Sequence, residues 1–246
     1  MNTAAAPEIE LDRISMRYET DSADILAVQQ VSMSIGKGEF VSLLGPSGRG
    51  KTTLLRLMAD LLQPTGGTIR VAGRTTKEAR LARKYGIVFQ NPVLYDWRKV
   101  KDNITLPLEM MRIGKSERDR KAEALLELVG LQGFGDKYPW RLSGGMQRRV
   151  AIARALSMEP EILLMDEPFS ALDEFSRERL NEESLSIWAK VKNTVVFVTH
   201  SIPESVFLSD RVYVLSPIRE GCPPSSTFRY PARVPRKCAA VRYFTS

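Results

Sequence analysis

Eight consecutive residues, Gly45-Pro46-Ser47-Gly48-Arg49-Gly50-Lys51-Thr52, have the composition and spacing of a phosphate-binding loop. The glycines let the backbone turn so that several N–H groups converge on one phosphate, and the positive end of a following helix strengthens the field. Lys51 supplies a mobile cation for the β- and γ-phosphates of a nucleotide, and the hydroxyl of Thr52, with Thr53 next to it, suits a Mg²⁺ ion. A second group is Asp166-Glu167, which directly follows the apolar run Ile162-Leu163-Leu164-Met165. Asp166 there can hold Mg²⁺ through its water shell, and Glu167 can orient and polarise an attacking water. His200, the only histidine of the chain, follows Val195-Val196-Phe197-Val198-Thr199. An imidazole at that place can hydrogen-bond a γ-phosphate or the lytic water. Each group alone has a plainer reading: an unliganded glycine turn, a helix start and a tolerated polar residue. Their common context decides for chemistry.

The context is a set of short apolar runs. Phe40 to Leu44 ends at Gly45, and from Thr52 the residues Leu54, Leu55, Leu57, Met58, Leu61 and Leu62 repeat at helical spacing, so the loop joins a strand to a helix. Runs at Ile87 to Phe89, Ile162 to Met165, Val195 to Thr199 and Val212 to Leu215 predict further central strands of a mostly parallel sheet. Such sheets bind nucleotides at the carboxyl edge, where Asp166, Glu167 and His200 emerge. Upstream, Val31, Met33 and Ile35 alternate with Ser32 and Ser34 before Gly36-Lys37-Gly38, which predicts an antiparallel β start. From about Asn91 to Leu142 the pattern is helical, with Ala122, Leu125, Leu126 and Val129 on one face of a helix over Ser116 to Val129. The fold class is therefore α/β, a mostly parallel core with an antiparallel β subdomain and an inserted helical lobe.

Composition is compatible with a folded enzyme: 246 residues, 43% apolar and 26% charged. No apolar stretch is long enough to cross a bilayer, which predicts a protein outside the membrane. Cys222 and Cys238 are the only cysteines, too few for a disulfide framework or a metal cluster. The net charge of +7 is spread among acidic residues, apart from Arg229, Arg233, Arg236, Lys237 and Arg242 near the end, so it predicts no nucleic-acid partner.

Leu142-Ser143-Gly144-Gly145-Met146-Gln147, about 20 residues before Asp166 and just before a predicted helix from Arg148 to Leu156, resembles the signature of ATP-binding cassette (ABC) proteins. The resemblance spans about residues 8 to 216. It implies an ATPase with ATP and Mg²⁺ as cofactors, an ATPase core over 8–90 and 143–215, a helical subdomain over 91–142 and a tail over 216–246. It further implies Tyr18 as the aromatic that stacks on adenine, although a strand-end aromatic packed on the core is the other reading. Gln90 matches the glutamine that joins the core to the helical lobe and serves Mg²⁺ with Thr52 and Asp166. Ser170-Ala171-Leu172-Asp173 resembles the loop that crosses a dimer interface, and His200 matches the switch histidine.

In this family a head-to-tail dimer, homodimeric or with a related subunit, lays the Ser143–Gln147 signature of one chain over the ATP held by the other. Further segments, Phe89 to Leu94, Asp96-Trp97-Arg98, Asp102-Asn103, Leu106-Pro107-Leu108-Glu109 and His200 to Asp210, resemble the importers of nitrate, sulfonates, taurine and pyrimidine thiamine precursors. The resemblance implies transmembrane permease partners, an extracytoplasmic solute-binding protein acting indirectly, and a place on the cytoplasmic face of the inner membrane. Val93, Leu94, Tyr95 and Trp97 either line a groove for a permease helix or pack the lobe's own core.

Two features depart from the family pattern. Arg49 replaces a small residue, and a long cation beside phosphate alters affinity or turnover. After Ser216-Pro217 the usual continuation is missing and no strand is expected, as though the tail were frameshifted or disordered. These departures motivate the alternative of a catalytically impaired subunit; a non-transport cassette acting on nucleic acid or ribosomes is the other.

Overall fold

A computed structural model describes residues 6–19, 24–170, 174–215 and 228–230. The chain opens with two long strands, β1 (Ile9–Tyr18) and β2 (Ile25–Ile35), paired antiparallel from Ile9 opposite Ile35 to Tyr18 opposite Ile25. After β3 (Phe40–Leu44) and α1 (Lys51–Met58), the chain returns through β4 (Gly66–Val71) and β5 (Arg74–Thr75). Together β2-β1-β4-β5 form the expected antiparallel sheet. α2 (Thr76–Leu81) follows, opened by a capping box in which Thr75 and Glu78 satisfy each other's backbone N–H groups.

The second sheet contains β6 (Tyr85–Val88), β7 (Ile162–Asp166), β8 (Thr194–Thr199), β9 (Arg211–Val214) and β10 (Phe228–Tyr230), in the order β10-β9-β3-β8-β7-β6. Its four pairings from β9 to β6, beginning with β9 beside β3, are parallel, whereas β10 pairs antiparallel with β9. β10 corrects the expectation that no strand follows Pro217: Phe228 lies opposite Val214 and Tyr230 opposite Val212. Three residues are too few to register as a period-two pattern, so the edge pairing escaped the sequence. The rest of the tail, including Cys222 and Cys238, lies outside the described residues.

Between β6 and β7 come only helices: α3 (Val100–Ile104), α4 (Leu106–Met110), α5 (Lys115–Leu128), a 3₁₀ turn at Pro139–Arg141 and α6 (Gly144–Leu156). α7 (Glu174–Val191) and α8 (Ile202–Leu208) flank β8. One hydrophobic core lies between α1, the antiparallel sheet and one face of the parallel sheet, with Ile9, Ile35, Leu43, Leu54 and Met58 fully buried. The other, around Val100, Ile104, Val150, Leu163 and Phe197, joins α3, α5, α6 and α7 to the opposite face. Two layers around one sheet bury β7 and β8 completely, which explains their unbroken apolar runs.

Two helix ends differ from expectation. α1 stops at Met58 and does not reach Leu62, because the chain reverses at Asp60 (φ 52°), whose carboxylate is held by Arg80, Thr76 and Gln63. α6 starts four residues before Arg148, because the Ser143 hydroxyl accepts from Met146 N at 3.3 Å and caps it.

Candidate nucleotide site

β3 runs straight into the phosphate loop, and Gly50 closes it in the left-handed conformation (φ 77°) as the N-cap of α1. A Cβ on Gly50 would stand 2.4 Å from the Ala27 carbonyl, so the turn requires glycine there. Pro46, Ser47, Gly48 and Arg49 are exposed, while Gly45 is buried. Lys51 is buried, and its ammonium donates to the carbonyls of Gly45 (2.6 Å) and Pro46 (2.9 Å).

β7 lies two strands from β3, across β8, and delivers the carboxylates. Asp166 Oδ1 accepts from the Thr52 hydroxyl at 2.8 Å, which joins the end of β7 to the start of α1. Asp166 is buried, and burial raises its carboxyl above the usual range against the lowering pull of the Thr52 hydrogen bond. Glu167 adopts a left-handed backbone (φ 43°), which costs a non-glycine residue about 1 kcal/mol. Its N–H donates to Val198 O at 3.0 Å, and this turn aims the carboxylate back at the loop. One oxygen of Glu167 stands 3.6 Å from Lys51 Nζ and the other 3.2 Å from His200 Nδ1. The two hard oxygen donors, Thr52 and Asp166, fit a Mg²⁺ ion that takes its other ligands from phosphate and water.

The remaining predicted residues divide. Tyr18 packs partly against the first core, and its hydroxyl lies 3.3 Å from Thr53 Oγ1. Gln90 is exposed and donates to Ser170 Oγ at 3.2 Å; it makes no bond to Thr52 or Asp166. Ser170 in turn donates to Glu167 O at 3.0 Å, while Ala171, Leu172 and Asp173 lie outside the described residues. Ser143, Gly144, Gly145, Met146 and Gln147 form the cap and first turn of α6. Among the described residues no hydrogen bond or ion pair joins that turn to the phosphate loop; Gln147 instead donates to Pro139 O and Leu142 O.

Three braces were not legible beforehand. Arg148, buried one turn into α6, donates to Pro168 O and so ties α6 to the turn behind Glu167. Arg154 donates to Pro92 O (2.7 Å) and Val93 O (2.8 Å) and anchors the segment after Gln90. Asn103, fully buried, bonds Tyr95, Arg98 and Lys99 and shapes the loop between them. Arginines at helical spacing read as a solvated face, and only the folded contacts distinguish them. On that loop Val93 (59%) and Trp97 (74%) are largely exposed and Tyr95 partly so, whereas Leu94 packs on the second core.

Residues 28–170 match the model of the family described as ABC transporter. An uncharacterized ABC transporter ATP-binding protein of Methanocaldococcus jannaschii is 46% identical over 85% of this chain and 78% of its own length. The taurine import ATP-binding protein TauB of Pseudomonas putida is 42% identical over 85% of this chain and 78% of its own. The nitrate import ATP-binding protein NrtD of Synechocystis is 42% identical over 85% and 77%. Among solved structures, the dimeric ABC transporter cassette MJ0796 superposes with a TM-score of 0.74 at 34% identity, covering 84% of this chain and 94% of that one. The same cassette in a post-hydrolysis state, bound to ADP and Pi, matches equally, with a TM-score of 0.74 at 33% identity over 85% and 94%. With these likenesses added to the loop, the carboxylate edge and the signature turn, the chain belongs to the ABC transporter family, as an ATP-binding, ATP-hydrolysing cassette.

Proposed function

We propose that this ABC ATPase energises an importer of a small solute, with nitrate, a sulfonate such as taurine, or a pyrimidine thiamine precursor as candidates. The convergence of Lys51, Thr52, Asp166, Glu167 and His200 on one sheet edge carries the catalytic part of this reading. The phosphate loop and Lys51 hold the β- and γ-phosphates, and Tyr18 offers its ring to adenine. Thr52 and Asp166, with Gln90, would hold a Mg²⁺ ion. That ion, when bound, offsets phosphate charge. Glu167 accepts the proton of the attacking water and is held in place between Lys51 and His200. His200 reaches from Glu167 toward the γ-phosphate.

The second half of the site comes from another chain. Ser143 caps a 13-residue helix that opens with Gly144 and Gly145, a second anion-binding end separate from the same chain's phosphate loop. Two copies, or one copy and a related subunit, then sandwich two ATP molecules with the Ser170–Asp173 loops crossing between them. The core comprises 8–90 and 143–215 and the helical subdomain 91–142. Val93, Tyr95 and Trp97, exposed on a loop shaped by Asn103, present the apolar surface for a permease helix at the cytoplasmic membrane face.

Among the described residues no helix is long and apolar enough to cross a membrane. In this reading permease subunits form the solute path and an extracytoplasmic binding protein selects the solute. Reconstitution with the permease and binding protein of each candidate system tests the solute. ATP-dependent uptake of one solute class is expected, and ATP hydrolysis without stimulation or uptake in any of them would refute the importer assignment.

A further inference from the structure

Four residues after His200, Glu204 is a carboxylate only 5% exposed that takes no part in holding nucleotide. Its Oε2 accepts from the Thr199 hydroxyl, and its Oε1 lies 3.5 Å from Arg177 Nε. The same Thr199 oxygen accepts from Ser201 N at 3.0 Å, so one hydroxyl spans the single residue between them, His200. Ser201 Oγ returns the contact by capping α8 at Glu204 N. Thr199 is the last residue of β8 and is buried; Arg177 lies on α7, the helix that follows Ser170.

A hydroxyl has one hydrogen to donate and lone pairs to accept with. Because Glu204 takes that hydrogen, the Thr199 oxygen must turn its lone pairs to the Ser201 N–H, and the backbone on both sides of His200 is held in one arrangement. The imidazole is exposed, and the turn that carries it sets the position from which Nδ1 reaches Glu167. Burial raises the Glu204 carboxyl above its usual range, whereas Thr199, Arg177 and His200 each favour the anion. The cost of a buried carboxylate at this place is offset by its partners on two elements, Thr199 on β8 and Arg177 on α7.

The geometry points to Glu204 as a positioning residue for His200, acting through the Thr199 hydroxyl and linking the histidine turn to α7 through Arg177. This inference rests on the reading of His200 given above. It adds that the segment after the Ser170 loop and the segment carrying His200 share one buried carboxylate, so a shift of α7 is felt at the imidazole.

The test uses the full chain without a polyhistidine tag, so that its only imidazole gives the only histidine ¹⁵N signals. Thr199→Val, which keeps the volume and removes the hydroxyl, and Glu204→Gln, Thr199→Ser and His200→Ala are compared for ATP turnover. Thr199→Val is expected to lower kcat about 10-fold or more with KM for ATP within about twofold, and to move the imidazole ¹⁵N resonances. Thr199→Ser is expected to restore both. Glu204→Gln, if it folds, keeps an acceptor for Thr199 but weakens the tie to Arg177, and should fall between wild type and Thr199→Val. Wild-type kcat in Thr199→Val, or a loss of kcat with unmoved imidazole resonances, would overturn the positioning role. His200→Ala separates the two claims: an active His200→Ala removes the role of His200 and with it this inference, whereas an inactive His200→Ala beside a fully active Thr199→Val overturns the positioning alone.

Discussion

His200 Nδ1 lies 3.2 Å from Glu167 Oε2, although 33 residues separate the two in the chain. The sheet register creates this meeting. β7 and β8 run parallel with Asp166 beside Val198, and the next residue, Glu167, donates its N–H to Val198 O before its left-handed backbone turns the carboxylate toward the end of β8. The Glu167 carboxylate and the His200 imidazole are therefore held at the ends of neighbouring strands and need no flexible loop to meet.

Asp166 links function to stability. Burial holds its carboxyl above the usual range, so the native state binds this proton more tightly than the unfolded chain does. Stability then declines as pH rises from the ordinary carboxylate value through the raised one, and above that window ionised Asp166 is a cost. Asp166→Asn is expected to raise the melting temperature by a few degrees near neutral pH without nucleotide, with the advantage gone below about pH 4. It should also abolish turnover and the stabilisation that MgATP gives the native protein. Thermal unfolding at both pH values, with and without MgATP, checks this.

Arg49 sits exposed between two left-handed glycines of the phosphate loop and has no ion pair or hydrogen bond among the described residues. As an exposed cation beside a polyanion it contributes modestly and in a salt-dependent way. Arg49→Ser is expected to raise the ATP Kd about two- to fivefold at low salt and to flatten its salt dependence, measured with a fluorescent ATP analogue. A many-fold rise in turnover would instead mark the native arginine as inhibitory and support an impaired subunit.

Gly86 lies on β6 where α6 crosses it, and a Cβ there would meet the Ala155 carbonyl at 2.4 Å. Gly86→Ala is expected to cost about 1–3 kcal/mol through overpacking of helix against sheet. Urea unfolding should show a lower midpoint with an unchanged slope.

The parallel strands and the phosphate loop were legible because each carries a local pattern. An apolar run of four or five residues ends in glycine at Leu44, in a carboxylate at Met165 and in an imidazole at Thr199. The antiparallel start at β2 and the helical stretch between β6 and β7 were legible for the same reason. The convergence of Lys51, Glu167 and His200 was suggested by the strand-edge rule, but its distances depend on register, which no local pattern states. Arg148, Arg154, Asn103 and Glu204 were illegible as braces, since a buried polar residue and a surface one are the same letter until the fold supplies partners. β10 was missed because an edge pairing of three residues depends on β9 more than on its own sequence.

The decisive measurement is ATP hydrolysis by the wild-type chain beside Glu167→Gln, with mass followed by light scattering as MgATP is added. Wild-type turnover, a loss of about 100-fold or more in Glu167→Gln, and an ATP-dependent dimer of that variant are expected. A Glu167→Gln protein that hydrolyses ATP at the wild-type rate, or that binds ATP and stays monomeric, would contradict the assignment of Glu167 as the base of a site shared between two cassettes.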